Sequence, residues 1–467
     1  MQSWRRRLMP SFLGVTLYLT VTIPCLSKEE LIIVSPHWEG IQYEFGRAFE
    51  AHYKETFGNE VRVRWRDLGG TSQIEKALDA SYEATPDSSQ IDIFFGGGID
   101  PYESQKEKGH LHPYPLPQHL LKEIPVSIGG FPIVDPEYHF YGAALSSFGI
   151  LENKRVTKIL DLPTVTSWED LTNERLLSWV SSADPRKSGS VHMIYEIILQ
   201  GYGWEKGWSI IYRSSGNVRS FLQSSSAPTK EVSTGDAAYA VAIDINGMTQ
   251  QAFLGKENVN FTIPKDVSVI NPDGIAILKG APNLKAAKAF VDFVMSPKGQ
   301  GLWMIPKGQQ GGAKKFGITR MGILPSFYEG DLSKLLVPLN PFKTPYSFRY
   351  DSTKGSRRWG VVNDLIGQSI IDVHSHLRSA WIAIQNAPKH RQNRLFIEFS
   401  KPLISEEQAA HYGSFWRKDK IQARSLANQW MRQSVNRFKR IQKQATIPTI
   451  DHKIASKAHE SITQRHN

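Results

Sequence analysis

Cysteine is nearly missing from this chain: Cys25 is the only one in 467 residues. It falls within an N-terminal stretch that reads as an export signal, so the mature chain has none. That excludes disulfides, cysteine metal sites and thiol nucleophiles. It also lets the chain tolerate an oxidising compartment without mispairing. No Gly-x-Ser-x-Gly elbow and no His-Glu-x-x-His helix occurs, so two common hydrolase signatures are missing. Gly96-Gly97-Gly98 does not complete Gly-x-Gly-x-x-Gly, which removes a dinucleotide fingerprint. His374-Ser375-His376 is a poor metal pair, because residues two apart on a helix point in different directions. There is no internal repeat and no low-complexity tract.

What is present begins with residues 1–27. Arg5, Arg6 and Arg7 form a positive start, and 11–23 is a mostly apolar run too short to span a bilayer as a helix. Pro24 breaks the run, and cleavage after Ser27 leaves Lys28 as the first mature residue. The alternative is lipidation of Cys25, which Pro24 before it fits badly. The expected location is the periplasm.

The formal net charge is +11, but it is unevenly placed. The signal holds three Arg, and 411–467 holds twelve Lys or Arg against three acidic residues, which leaves 28–410 at −1. The basicity is therefore a C-terminal feature. It reads as the solvated face of a helix, with Trp416, Trp430 and Phe438 on the apolar side, rather than as a nucleic-acid site. A membrane-surface contact is the sharper alternative.

About 440 residues after cleavage are too many for one compact core. Runs 31–35, 61–65 and 91–95 read as strands, and 41–56, the segment after Gly69-Gly70 and the segment after Pro101 as helices. Strand and helix alternate, the pattern of a parallel α/β layer. In such sheets ligands bind beyond the C-terminal strand ends, which here are 35–40, 67–72 and 96–100. A second unit follows, with helices expected at 168–180, 203–212 and 246–253, a buried strand at 237–243 and a helix at 284–295. Extended crossings near 138–147 and 265–278 would hinge the two units. Beyond 331, prolines suggest a connector, then helices over 359–385 and 406–444; the last twenty or so residues read as poorly ordered.

The most informative stretch is 184–192, Asp-Pro-Arg-Lys-Ser-Gly-Ser-Val-His, which opens an amphipathic helix running to Gly201. Arg186 and Lys187 bring positive charge, Ser188 and Ser190 hydroxyls, and Gly189 close backbone approach. The N–H groups of a helix start and its dipole favour an anion there. The plain alternative is an ordinary capped helix.

Further segments line up with it: Ser35-Pro36-His37-Trp38-Glu39, Gly69-Gly70-Thr71-Ser72, Asp92 to Gly98, Ser146-Ser147-Phe148-Gly149, Ser224 to Pro228, and Gly235-Asp236-Ala237-Ala238 running on to Asp244. In these motifs and their order the chain resembles extracellular solute-binding proteins of ABC importers, the ferric-iron and thiamine-type branch. The resemblance runs from the signal to about residue 330 and continues more loosely through 361–384. It implies an α/β, two-lobed periplasmic-binding-protein fold of type II with an additional helical C-terminal extension. The expected parts are 28–140 with 268–330 as one discontinuous lobe, 141–267 as the other, and 331–467 as the extension. It also implies a monomer, no enzyme and no resident cofactor or metal, with a small solute and an inner-membrane ABC permease as partners. Iron binders of this branch often use adjacent tyrosines after the Gly-Asp-x-Ala strand. Here that stretch reads Ala242-Ile243-Asp244-Ile245, and no adjacent tyrosine pair occurs anywhere.

The expected ligand residues are therefore His37, Trp38, Glu39, Thr71, Ser72, Gly97, Gly98, Ser146, Ser147, Lys187, Ser188, Ser190, Ser225 and Asp244. Hydroxyls and helix starts would hold an oxyanion, Glu39 and Asp244 a cationic or polar end, and Trp38 a ring or sugar face. A small phosphorylated, phosphonate or thiamine-like solute suits this set. The alternatives are ferric iron held without a tyrosine pair, and an exported enzyme or receptor subunit on the same scaffold.

Overall fold

The computed structural model describes residues 29–446 apart from 265, 344–347 and 417. The expected signal and the final basic residues lie outside these. No described helix is long and apolar enough to cross a membrane.

Short apolar, β-branched runs bounded by glycine and proline form the strands. Glu29–Val34 pairs in parallel with Val61–Arg66 on one side and with Ile93–Phe95 on the other. Ile270–Leu278 adds antiparallel to Ile93–Phe95, and Tyr141–Asn153 adds antiparallel to Ile270–Leu278. The helices Glu39–Phe57, Thr71–Ala84 and Asp100–Glu107 complete this first lobe.

The strand Tyr141–Asn153 serves both lobes. Residues 141–147 pair with Ile270–Leu278, whereas 148–152 pair with Tyr239–Ile243. Beyond Tyr239–Ile243 the second lobe continues in parallel through Val180–Ala183 and Val218–Leu222. A thirteen-residue strand of this kind, buried nearly throughout, is a continuous rod between two cores.

Three segments depart from the sequence expectation. Residues 168–180 do not form one helix; they make two 3-10 turns, Glu169–Thr172 and Glu174–Leu176. Asn173 between them is extended, and its side chain accepts from the Arg175 amide. This is the local competition with a helix that asparagine offers. The helix Gly189–Gly201 is buried almost all round rather than amphipathic, because C-terminal helices cover its outer side. Within 359–385 the chain forms Ser352–Ile366 and His374–Asn386, split by a π-helical turn at Gly367–Ile371. The break sits where Gly367 meets Arg186: a Cβ on the glycine would lie 2.6 Å from the guanidinium.

The C-terminal region adds Lys389–Ser400, Glu406–Gly413 and Lys420–Thr446. Trp416 and Trp430 stack with ring centroids 5.0 Å apart, and Phe438 is buried against Phe399 and Tyr212. Its aromatics thus extend the core of the second lobe.

Candidate functional site

Between the lobes lies a cavity of about 500 Å³, within the range of small-molecule sites. Six of its wall segments follow the C-terminal ends of strands. On the first lobe these are Ser35–Glu39, Asp67–Thr71 and Gly97–Gly98; on the second they are Lys187–Ser190, Gln223–Ser226 and Ile243–Asn246. The crossing strands add Ser146, Phe148 and Asn271–Asp273, and the later chain adds Arg320 and Trp359.

Five helices start on this cavity. Their N-caps are Trp38, Gly70, Ser188, Ser226 and Ile243, and each lines it. First-turn N–H groups have no partner within their own helix, and the dipoles put partial positive charge there. Around them stand hydroxyls and amides: Ser35, Thr71, Ser190, Ser224, Ser225 and Asn246. Asn246 Nδ2 donates to Ser225 Oγ at 3.2 Å, which holds one of these hydroxyls in place.

The ionic centre of the wall is Arg320. Its Nη1 donates to Asp273 Oδ2 at 2.7 Å, and Nε and Nη2 reach Ser146 Oγ at 3.1 and 2.7 Å. His37 Nε2 lies 2.7 Å from the same Asp273 oxygen, and the Gly97 amide donates to the other at 2.6 Å. Burial lowers the His37 pKa, more strongly than Asp273 beside it raises it. Burial alone would lift Asp273, but Arg320, His37 and the Gly97 amide outweigh it and hold its pKa below the ordinary carboxylate value. The Arg320 charge is thus matched inside the wall.

The two lobes touch along one side of the cleft. A Cβ at Gly70 would lie 2.4 Å from the Lys187 carbonyl oxygen, and one at Gly189 would lie 2.8 Å from Thr71 Cβ. Only glycine lets the 69–72 loop and the 184–192 segment meet so closely. Ser72 Oγ donates to the Pro185 carbonyl across this contact at 3.4 Å.

Of the fourteen residues expected from sequence, eleven line the cavity: His37, Trp38, Glu39, Thr71, Gly97, Gly98, Ser146, Lys187, Ser188, Ser190 and Ser225. Ser72, Ser147 and Asp244 stand behind the wall. Asp244 accepts from the Ser147 amide at 2.7 Å and hydroxyl at 3.1 Å, and from the Ile245 amide at 2.7 Å. Burial pushes its pKa up to about 6, against the pull of Arg320 and these bonds. Ser188 caps its helix, accepting from the Val191 amide at 3.3 Å. Arg186 is turned to Asp184 and Asp372, at 2.7 and 2.8 Å. Trp38 remains 43% exposed at the cleft edge, with its ring edge-on to Phe316.

Sequence reasoning missed Arg320, Asp273, Asn271 and Trp359. A signal existed for the first three. Arg320 interrupts an apolar run whose Ile318, Met321 and Ile323 are wholly buried, and Asn271 and Asp273 are polar positions in a fully buried strand. Trp359 had none, since its partners lie far away in sequence. No tyrosine lines the cavity among the described residues. Tyr239 is buried in its strand and donates to the Pro163 carbonyl at 2.8 Å. Away from the cleft, Asp135, Glu137 and His139 cluster, and the Lys106 ammonium bridges the two carboxylates at 2.7 and 2.9 Å.

Residues 88–304 match the family model described as bacterial extracellular solute-binding protein. The chain is similar to an uncharacterised protein of Haemophilus influenzae, 27% identical over 230 residues, covering 48% of this chain and 63% of that one. It is also similar to the phosphoglycerate transport regulatory protein PgtC of Salmonella typhimurium, 28% identical over 157 residues, covering 34% and 38%. The chain thus spans less than two thirds of the curated relatives it matches. Among solved structures, the periplasmic binding protein AfuA of Actinobacillus pleuropneumoniae, bound to fructose-6-phosphate, superposes with a TM-score of 0.57 at 21% identity, covering 76% of this chain and 98% of that one. Apo ferric ion-binding protein A of Pasteurella haemolytica superposes with a TM-score of 0.55 at 15% identity, covering 72% and 96%. The fold of the chain is the two-lobed type II periplasmic-binding-protein fold with an added helical C-terminal region.

Proposed function

We propose that this chain is a solute-binding protein that works in the periplasm as the capture subunit of an ABC importer. It closes its lobes on a small phosphorylated or phosphonate organic anion and hands it to a membrane permease. The observation that carries this reading is the convergence of five helix starts, with serine and threonine hydroxyls, on one cavity. Such donors complement an oxyanion without placing a free counter-charge beside it. Arg320 is matched by Asp273, so among the described residues Lys187 is the remaining Lys or Arg of the lining, and it is exposed. The volume suits an organic molecule better than a single ion. The wall holds donors for both an anionic end and hydroxyls, and Trp38 offers a face for a ring.

Two names among the similar proteins support the same class: PgtC is named for phosphoglycerate transport, and AfuA was solved with fructose-6-phosphate bound. A tyrosine-ligated ferric ion is disfavoured, because the lining has no phenol among the described residues.

Native mass spectrometry of freshly purified protein tests this, since a co-purified phosphate ester appears as a defined mass increment. A thermal-shift panel then covers phosphoglycerates, fructose 6-phosphate, phosphonates, thiamine and ferric iron. A ligand at a hundred times its dissociation constant stabilises the native state by about 2.7 kcal/mol. Stabilisation by ferric iron alone would overturn the reading.

A further inference from the structure

The helical extension meets both lobes. Its hold on the second lobe is broad and buried. Arg358 bonds Glu196 at 2.7 Å with both side chains almost wholly buried, Trp381 Nε1 donates to Asn217 Oδ1 at 2.8 Å, and Tyr212 bonds Ser369 at 3.0 Å. The Trp359 ring lies against His192, with centroids 3.6 Å apart. This part of the chain is built onto the second lobe as an extension of its core.

From there it reaches across to the first lobe. The Tyr350 hydroxyl bonds the buried Asp100 carboxylate at 2.5 Å, and Trp359 Nε1 donates to Ser72 Oγ at 3.3 Å. Two exposed ion pairs follow, Lys420 with Glu83 at 3.6 Å and Arg357 with Glu107 at 3.9 Å. Pairs of that kind contribute little, so the buried Tyr350–Asp100 and Trp359–Ser72 bonds carry the crossing. Gly355 makes the approach possible. A Cβ there would lie 2.2 Å from the Tyr350 hydroxyl and 2.4 Å from an Asp100 oxygen.

We propose that the extension is a strap anchored on the second lobe that clasps the first beside the cleft, holds the lobes together without solute, and supplies Trp359 as part of the solute-facing wall. The idea rests on the two-lobed capture reading above, but its test needs no solute. A hinged protein without such a strap closes because a ligand contacts both lobes. Here protein–protein bonds already bridge them, so the solute-free chain sits nearer closure, and solute entry requires the strap to loosen on the first-lobe side.

The strap is tested by pulsed electron spin resonance on the full chain, with spin labels at Arg66→Cys and Lys230→Cys, one on each lobe and both exposed. Cys25, the one cysteine of the sequence, is replaced by serine so that the two labels are the only thiols. Gly355→Ala is the wedge. Alanine favours the helix more than glycine does, yet its methyl strikes Tyr350 and Asp100. Tyr350→Phe is the second variant, removing only the hydroxyl. The expected result is one narrow distance for solute-free protein, shifted to longer and broader distances in Gly355→Ala and, less strongly, in Tyr350→Phe. A broad open distribution in the unsubstituted protein overturns the strap. So does a narrow distribution that neither variant moves. Failure of every phosphate ester to bind would sink the proposed solute class and leave this distance result standing.

Discussion

Arg320 and Asp273 form an ion pair with both side chains 4% exposed, Nη1 to Oδ2 at 2.7 Å, in the wall between the lobes. The pair joins the 318–324 segment to the crossing strand, and Ser146 and His37 complete its hydrogen bonding. Removing one partner of such a pair leaves a buried, unmatched charge. Arg320→Met is expected to destabilise the protein by about 3–5 kcal/mol, with most of that recovered by adding Asp273→Asn. Urea denaturation of the parent, the single variant and the double measures this; a single variant no worse than the double would show that the charge is not isolated by burial.

The strands and helices of the first lobe were legible because each is a short local pattern: β-branched runs, then helical spacing, with glycine between. The ligand loops were legible for the same reason, since a parallel sheet puts its sites beyond the strand ends. The Arg320 cluster and Trp359 were not. Their roles arise from contacts across tens to hundreds of residues, and neither period nor propensity reports such a pairing. Arg186 shows the same gap: its charge was visible in sequence, but its pairing with Asp372, 186 residues on, was not.

Ser190 lines the cavity at the second position of its helix, while Ser188 is engaged as the cap. The two alanine substitutions should therefore separate. Ser190→Ala removes a donor to a charged ligand and should weaken solute binding roughly tenfold with little change in melting temperature. Ser188→Ala should in addition cost about 1 kcal/mol of stability as a lost cap. Calorimetric titration beside a thermal melt reads both, and unchanged affinity in Ser190→Ala would remove that hydroxyl from the site.

Gly70 stands on the first-lobe side of a close contact between the lobes. Its φ of −73° suits any residue, so alanine there brings no backbone strain of its own. What it brings is a methyl 2.4 Å from the Lys187 carbonyl oxygen. Gly70→Ala should therefore leave the fold intact but hold the lobes apart, lowering solute affinity by tenfold or more on the order of one lost close contact set. A melting temperature near the parent's with weakened binding is the expected pair of results. Unchanged binding would mean that the lobes meet elsewhere when loaded.

Asp244 makes the chain's stability depend on pH in a direction opposite to the usual carboxylate. Its pKa is pushed up to about 6 in the folded protein, from 3.8. Between those values the native state binds more protons than the unfolded chain, so Asp244 makes stability fall as pH rises from about 4 to about 6, and its penalty is constant above that. The full penalty corresponds to about 3 kcal/mol. Asp244→Asn removes the titration while keeping an acceptor for the Ser147 amide. Denaturation midpoints measured from pH 4 to pH 7 should show a falling stability component in the parent that is lost in the variant. Parallel pH profiles for the two proteins would show that the carboxylate is not held protonated by burial.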